Sequence, residues 1–253
     1  MIKISFFLTF IIFIASLPFI GDFLANLKQP KNIALSDDYI GQKLDDYINN
    51  NIEKIIKNIQ DKSKYAAQDK LIKNKILQYK DEIFDTSYPS TGNIDSKVIA
   101  VGFFDYSCGY CKVIKDDIKQ LINDGKINYI FRDSPILGNN SLKMAKSALA
   151  VYFIKKEKYF DFNYAALSHT GEFSDNDILN ILQNIGIEES EFNNSMQNNM
   201  NKIEHMINSS KALVRDLGIG GTPFLIIGDS IFVGATDLSI LREKVNQLMN
   251  SNS

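Results

Sequence analysis

Phe103-Phe104-Asp105-Tyr106-Ser107-Cys108-Gly109-Tyr110-Cys111 is the most informative segment of the chain. The apolar run at 98–104 has the length and composition of a buried strand. Residues 108–123 follow with a helical pattern, so the two cysteines stand where a strand ends and a helix begins. The first turn of a helix presents unpaired backbone N–H groups and the positive end of the helix dipole. Both features stabilise a thiolate, and the stretch therefore predicts a reactive Cys108.

The spacing of the two cysteines predicts their chemistry. A thiolate is the nucleophile of disulfide exchange, so we expect Cys108 to attack a substrate disulfide. Cys111, one turn further along the same helix face, is placed to attack the mixed disulfide and release the product. The helix dipole supplies roughly 0.3–1 kcal/mol at a surface, whereas one pKa unit needs about 1.4 kcal/mol. A large fall in the pKa of Cys108 would therefore need direct N–H···S hydrogen bonds.

Three other uses of a cysteine pair compete with redox chemistry. A structural disulfide between residues three apart closes a very small ring and removes little chain entropy. A zinc site needs further ligands, and neither His169 nor His205 lies at finger-like spacing from the cysteines. Haem attachment would need a histidine where Lys112 stands. Redox exchange without a metal or cofactor is the favoured interpretation, and the structural disulfide and zinc stay open as lesser alternatives.

The N-terminus predicts the compartment. Lys3 precedes an apolar run over 4–20, which is typical of a secretory signal within residues 1–25. The run is also just long enough for a marginal membrane span, so an uncleaved anchor is the alternative. Either interpretation places the rest of the chain outside the cytoplasm, and we expect a periplasmic protein. Disulfides persist in such a compartment.

The overall composition limits the class of partner. Hydrophobic residues make up 45% of the chain and charged residues 23%, as in ordinary globular proteins. The formal net charge is −2, without the basic surplus of a nucleic-acid-binding protein. We therefore expect no nucleic acid among the partners.

Residues 36–90 predict a helical stem. Apolar residues recur at helical spacing over 44–59 and again over 72–83, and the polar segment 61–68 predicts a bend between two helices. Two short amphipathic helices cannot bury both apolar stripes well alone. We therefore expect them to pack against the helices of other copies. The alternative is that they pack on their own catalytic domain. The breaker cluster at 88–93 predicts the boundary.

Residues 91–253 predict an α/β domain. A second strand at 127–131 completes a βαβ unit, which is parallel and right-handed in nearly all proteins. Helical patterns fill most of 139–217 and predict a helical insertion. A strand over 224–227, a turn at Gly228-Asp229, a strand over 231–233 and a closing helix over 237–249 complete the domain.

Three spaced motifs make the chain resemble the DsbA-like branch of the thioredoxin superfamily. They are Phe-Asp-Tyr-Ser-Cys-Gly-Tyr-Cys at 104–111, Phe-Arg-Asp-Ser-Pro-Ile-Leu-Gly at 131–138 and Gly-Gly-Thr-Pro-Phe at 220–224. The resemblance implies a thioredoxin-like α/β fold with a helical insertion, here preceded by a helical stem. It also implies a protein thiol–disulfide oxidoreductase that acts on exported cysteine-containing proteins and is reset by a membrane redox partner.

The resemblance further implies roles for residues around the cysteines. Thr222-Pro223 is expected to form a cis peptide bond opposite them, which would leave the Thr222 backbone free to pair with an extended substrate. Gly109 and Tyr110 are expected to tune Cys108. Strongly oxidising members carry His at the position of Tyr110, and the Gly-Tyr pair is more like that of bacterial isomerases.

The stem adds a second, looser resemblance. Residues 36–90 are similar to the oligomerisation stem of ScsC-type trimeric isomerases, which implies a homo-oligomer, with a trimer as the favoured state. Oxidase and isomerase both stay open at this point. The alternative from another class is a non-catalytic, chaperone-like or partner-binding periplasmic protein with an idle cysteine pair.

Overall fold

A computed structural model describes residues 37–251, apart from the side chains at positions 37, 65 and 68. The predicted leader at 1–25 and the segment that links it to the stem lie outside the described residues. Over the part of the chain that the structure describes, no helix combines the length and the apolar character needed to cross a bilayer.

The described chain begins with one long helix, α1, over Asp37–Gln78, and a single turn, α2, follows at Lys80–Ile83. The predicted bend at 61–68 is therefore wrong. That segment is polar, but it contains no Gly or Pro, and its Lys, Ala and Gln residues favour a helix. Sharp kinks almost always need Pro, Gly/Ser pairs or an inserted residue. The polar residues mark an exposed turn of one helix rather than its end.

Two compact units divide the chain between Ser63 and Lys64, not near residue 90. In the first unit, α1 exposes a row of large apolar side chains: Ile40, Leu44, Tyr47, Ile52, Ile56 and Ile59. In the second unit, Ile76 of α1, Ile83 of α2 and Tyr88 are buried in the hydrophobic core. From Ile76 onward, residues of the predicted stem are therefore part of the core of the second unit.

The second unit is built on a five-stranded mixed sheet of order β1-β3-β2-β4-β5. Strands β2 and β3 are parallel, and every other neighbouring pair is antiparallel. Helix α3, Gly109–Asn123, connects β2 to β3 and confirms the predicted βαβ unit. The strands are β1 Ser90–Gly92, β2 Ile99–Phe104, β3 Asn128–Asp133, β4 Phe224–Ile227 and β5 Ser230–Val233.

The two edges of the sheet differ in how readily the sequence predicts them. The β4–β5 hairpin was predicted, and its turn at Gly228-Asp229 places Gly228 at a φ of +61°, which glycine adopts without a steric penalty. Strand β1 was not predicted, because Ser90-Thr91-Gly92 has the composition of a turn. It forms because its backbone pairs with β3, beside a hydrogen bond of 2.8 Å from Phe131 N to Pro89 O.

Four helices lie between β3 and β4, as the predicted insertion requires. Helix α6 shows how the local sequence sets their ends: Ser174 and Asp177 form a capping box, and Gly186 ends the helix with a φ of +74°. The last of the four is a continuous helix of 29 residues. The insertion comprises α4 Asn139–Ile154, α5 Lys158–Ser168, α6 Asp175–Ile185 and α7 Glu189–Leu217, and α8 Leu238–Ser251 closes the chain.

Arg132 of β3 joins the end of the stem to the core. Its side chain is fully buried, and the centre of its guanidinium lies 3.5 Å from the centroid of the Tyr88 ring. Its two terminal nitrogens donate to Glu82 O at 2.9 Å and to Ser209 Oγ at 3.2 Å. Burial lowers the pKa of Arg132. Because Glu82 O and the Tyr88 ring both contact this buried side chain, residues 82–88 are fixed to the same core that carries the cysteines.

Candidate active site

Cys108 stands at the junction between the sheet and α3. It is the N-cap residue of α3, with extended backbone angles, and the helix itself begins at Gly109. Its residue surface is 7% exposed, whereas Cys111, inside the first turn, is 1% exposed. Both cysteines are free thiols. Both cysteines are therefore largely buried, and Cys108 is the more accessible of the two.

The surroundings of Cys108 stabilise its thiolate. Its pKa is lowered from 9.0 to about 5, and the largest cause is the hydrogen bond from the Cys111 thiol. The Thr222 side chain and the backbone N–H groups of Cys111 and Tyr110 lower it further, while burial acts in the opposite direction. The helix dipole alone could not produce such a shift. The direct hydrogen bonds to Cys108 Sγ that a large shift requires are therefore present. At neutral pH Cys108 is ionised.

Cys111 has the opposite character. Burial raises its pKa far above the ordinary value of a thiol, and its hydrogen bond to Cys108 raises it further. The one contact that favours its thiolate most is the Asp105 N–H, which lies 3.5 Å from Cys111 Sγ. Cys111 therefore keeps its proton at neutral pH. The site holds a thiolate and a thiol side by side, which is the arrangement that attack and later resolution require.

Thr222 and Pro223 come to the cysteines from 114 residues further along the chain. The peptide bond between them is cis, as the resemblance implied. In its thiol form Cys108 donates to Thr222 O over 3.1 Å. Strand β4 follows Pro223 directly and pairs with β2, and the rings of Phe103 and Phe224 stack with centroids 4.3 Å apart. This pairing fixes the Thr222 carbonyl at Cys108.

Exposed apolar side chains lie on both segments that flank Cys108. Tyr110 and Val113 of α3 are each 68% exposed, and Ile136 and Leu137 on the loop after β3 are 40% and 54% exposed. Gly109, the first residue of α3, has open space where a side chain would begin. The surface beside the reactive sulfur is thus apolar and open, which suits contact with an unfolded polypeptide.

Asp105 organises these segments, and sequence reasoning missed it. It is buried, and its own carbonyl accepts a hydrogen bond of 3.1 Å from Cys108 N. Its carboxylate accepts from Ser107 N at 2.7 Å, Ser141 Oγ at 2.6 Å, Ile136 N at 2.8 Å and Leu137 N at 3.0 Å. An Asp three residues before a helix cap looks like an ordinary turn residue in sequence. Its partners on the loop after β3 and on α4 are visible only in the fold.

A second buried carboxyl group, Asp133, lies in the 131–138 motif, and its role could not be predicted from the sequence. Burial raises its pKa to about 7. Tyr159 Oη donates to it at 2.6 Å, and the Tyr106 hydroxyl also hydrogen-bonds to it. Tyr106 Oη in turn accepts from Asn163 Nδ2 at 3.2 Å. These hydrogen bonds hold the end of β3 and Tyr106 against α5.

The histidines lie in ordinary surroundings. The His169 ring stacks on Phe173 with centroids 4.4 Å apart, and its Nε2 lies 4.0 Å from a carboxylate oxygen of Asp177. His205 lies on the helix α7. Across the described residues 37–251, no three His, Cys, Asp or Glu side chains are grouped so as to hold a metal ion.

Known proteins resemble this chain over most of its length. Residues 100–246 match the family model described as a DSBA-like thioredoxin domain. The crystal structure of the thiol-disulfide exchange protein alpha-DsbA2 from Wolbachia pipientis is 71% identical, with 72% of this chain and 98% of that chain covered and a TM-score of 0.71. A thioredoxin-like oxidoreductase from Silicibacter pomeroyi is 29% identical, with 67% and 97% covered and a TM-score of 0.62.

A more distant structure extends the likeness of the fold toward the N-terminus. A linker-deletion variant of ScsC from Proteus mirabilis covers 87% of this chain and 99% of its own, with a TM-score of 0.63 and 20% identity. A search of curated proteins gave no match. The family model spans more than half of the chain, and nearly all of the Wolbachia protein is matched at high identity. With the cysteine pair at the strand–helix junction and the facing cis-proline, this shows that the chain belongs to the DsbA-like family of thioredoxin-fold thiol–disulfide oxidoreductases.

Proposed function

We propose that this protein rearranges disulfide bonds in exported proteins, with Cys108 as the attacking nucleophile and Cys111 as the resolving thiol. The observation that carries this proposal is the contrast between the two sulfurs. Cys108 has a pKa of about 5 and is the more accessible sulfur, whereas Cys111 is almost fully buried and protonated. Only the thiolate is nucleophilic, so a substrate disulfide meets one reactive sulfur and not two.

The exchange runs in two steps. The Cys108 thiolate attacks one sulfur of the substrate disulfide, that S–S bond breaks, and the other substrate sulfur leaves as a thiolate. If Cys111 then loses its proton and attacks Cys108 Sγ, the mixed disulfide breaks and the remaining substrate sulfur leaves as a thiolate. The net result is a reduced substrate and a Cys108–Cys111 disulfide. When a substrate thiolate attacks the mixed disulfide first, Cys108 leaves readily because of its low pKa, and the substrate is isomerised.

Substrate binding follows from the groups around Cys108. The Thr222 carbonyl lies 3.1 Å from Cys108 Sγ, and it is an acceptor that the backbone N–H of an extended substrate could use in its place. Pro223, which directly precedes the first residue of β4, holds this carbonyl in place. The exposed apolar side chains of Tyr110, Val113, Ile136 and Leu137 offer contacts to the apolar residues of an unfolded chain. None of these contacts requires a particular substrate sequence.

Isomerisation is favoured over oxidation by the exposed apolar row of α1. The low pKa of Cys108 makes its thiolate available for attack, but it also stabilises the reduced form as in strong oxidants, so it does not separate the two activities. The first half of α1 exposes an apolar row that needs a partner, and we assign it to self-association, with a trimer as the expected state. Since residues 1–25 are predicted to be a leader, we expect the reaction to take place in the periplasm, where a membrane redox partner would keep the pair reduced.

The test is the recovery of scrambled ribonuclease by the full mature chain. Cys108→Ser is expected to abolish recovery. Ile52→Asp combined with Ile59→Asp is expected to give a monomer in sedimentation and to remove most of the isomerase activity. Alkylation of Cys108 should be unchanged in this double variant. The matched control, Asn50→Asp with Asn58→Asp, adds the same charge to α1 at polar positions and should keep both assembly and activity.

Two outcomes would contradict the proposal. Recovery by Cys108→Ser at the rate of the unmodified chain would remove the catalytic role of the pair. A double variant at Ile52 and Ile59 that isomerises at the full rate as a monomer would separate isomerase activity from the stem. The first result concerns the chemistry and the second concerns assembly, so the two parts are tested independently.

A further inference from the structure

A small cavity lies against Cys111 on the inner side of the site. Its volume is about 30 Å³, and its polar wall includes Cys111, Tyr129 and Asn163. Most of the remaining wall is apolar, with Phe131, Pro223 and Leu225 among its members. A buried water needs roughly 10–15 Å³ and two to four polar partners. The cavity therefore has room for one water molecule beside the resolving thiol, and the polar groups for it are confined to these few side chains.

Tyr129 is the group in this wall whose hydrogen bonding is incomplete. The residue is 4% exposed, and over the described residues 37–251 no group of the protein hydrogen-bonds to its hydroxyl. Buried tyrosine hydroxyls usually have a partner. The hydroxyl lies over Gly102, where any larger residue would collide with it. Because Gly102 has no side chain, the Tyr129 hydroxyl fits above it. Tyr129 borders the cavity, and its hydroxyl has no hydrogen-bond partner among the described residues.

The proposed function leaves one need unmet, because Cys111 must lose its proton to attack Cys108 Sγ. Besides the cysteine, the ionisable groups that line the cavity are Lys115 on α3, Tyr129 on β3 and Tyr164 on α5. No carboxylate is among the lining residues. Burial raises the pKa of Tyr129, so its phenol stays neutral and acts as an anchor rather than as a base.

We propose that Tyr129 holds a water molecule in this cavity and that this water accepts the Cys111 proton in the resolving step. This inference rests on the proposed roles of Cys108 and Cys111. As the S–H bond of Cys111 breaks, its proton passes to the water, and its electron pair forms the bond to Cys108 Sγ. The bond between Cys108 and the substrate sulfur breaks, and the substrate leaves as a thiolate that takes up the proton from solvent. Tyr129 acts through the water and is therefore a positioning residue.

The test separates the two steps of the exchange in the full chain. Attack is measured as formation of the Cys108–glutathione mixed disulfide from glutathione disulfide in a Cys111→Ser background. Resolution is measured as formation of the Cys108–Cys111 disulfide in a chain that keeps both cysteines. Tyr129→Phe should leave attack unchanged. It should slow resolution about tenfold, the effect of losing one hydrogen bond, and should move the pH profile of resolution to higher pH.

Two further variants complete the test. Tyr152→Phe is the matched control, since it removes a buried phenol hydroxyl that donates to Ser87 O at 3.0 Å, outside the cavity wall. It should leave both steps unchanged. Gly102→Ala keeps the Tyr129 hydroxyl but displaces it, and it should also slow resolution. The inference is overturned if Tyr129→Phe resolves at the unmodified rate with an unchanged pH profile, or if Tyr152→Phe slows resolution equally. Loss of attack in the Cys111→Ser background would instead contradict the proposed function.

Discussion

The two ends of the first turn of α3 carry the same functional group in opposite environments. Cys108 meets backbone N–H groups, the Thr222 side chain and the Cys111 thiol, and its pKa falls to about 5. Cys111 faces the core, and burial raises its pKa. A Cys-x-x-Cys sequence therefore does not set reactivity by itself. Reactivity is set by which sulfur faces the N–H groups of the helix terminus and which faces the apolar interior.

The largest expected effect comes from removing each sulfur in turn. Cys108→Ser should reduce exchange with glutathione disulfide to the uncatalysed level, because no reactive thiolate remains. Cys111→Ala should keep attack but accumulate mixed disulfides, which mass spectrometry would detect as adducts on Cys108. If Cys108→Ser formed adducts as fast as Cys111→Ala, the two sulfurs would be equivalent and the contrast between them would be lost.

A smaller effect is expected from Asp105, which contacts both cysteines through its backbone and fixes the loops around them. Asp105→Ala leaves four donors without their acceptor, one of them buried and three partly buried, and we expect it to lower the free energy of unfolding by about 2–4 kcal/mol. Urea denaturation of the reduced protein measures this loss. Asp161→Ala, which removes an exposed partner of Lys158, is the control and should change stability by less than about 0.5 kcal/mol. A similar loss in both variants would show that Asp105 has no special place in the site.

The smallest effect is expected at Tyr110, an exposed residue between the two cysteines. Changing this residue alters the charge near Cys108 without changing the buried surroundings of Cys111. In Tyr110→His, a protonated imidazole would add a positive charge near the Cys108 thiolate and lower its pKa. Because position 110 is 68% exposed, solvent screening should keep this change below about one unit. The pH midpoint of Cys108 alkylation measures it, with Tyr110→Phe as the control. A midpoint that rises in Tyr110→His would contradict the electrostatic explanation.

Local patterns were sufficient to predict the elements that carry the cysteines. The strand before Cys108, the helix after it and the strand at Phe224–Ile227 all follow from apolar runs, breaker residues and the helix cap. The cis bond before Pro223 was implied by the family resemblance. In each of these cases, the residues that decide the structure are neighbours in sequence or belong to a recognisable motif.

What could not be predicted depends on contacts between distant segments. Strand β1 exists through its pairing with β3, and Asp105 gains its function from the loop after β3 and from Ser141. The Tyr129 hydroxyl of β3 lies over Gly102 of β2, and these two strands are separated in sequence by helix α3. The continuous helix α1 differs from the prediction for a local reason, because the polarity of 61–68 does not distinguish a bend from an exposed helical turn. Polar residues without Gly or Pro continue a helix.

The most direct test of the contrast is the pH dependence of alkylation at each cysteine of the reduced, unmodified chain, resolved by peptide mass spectrometry. A thiol with a lowered pKa reacts fully above that pKa and loses reactivity as the pH falls through it. We predict that labelling of Cys108 rises with a midpoint near pH 5 and is constant through neutral pH, while Cys111 stays unlabelled. A midpoint near the ordinary thiol value of 9.0, or equal labelling of both cysteines at neutral pH, would contradict the account.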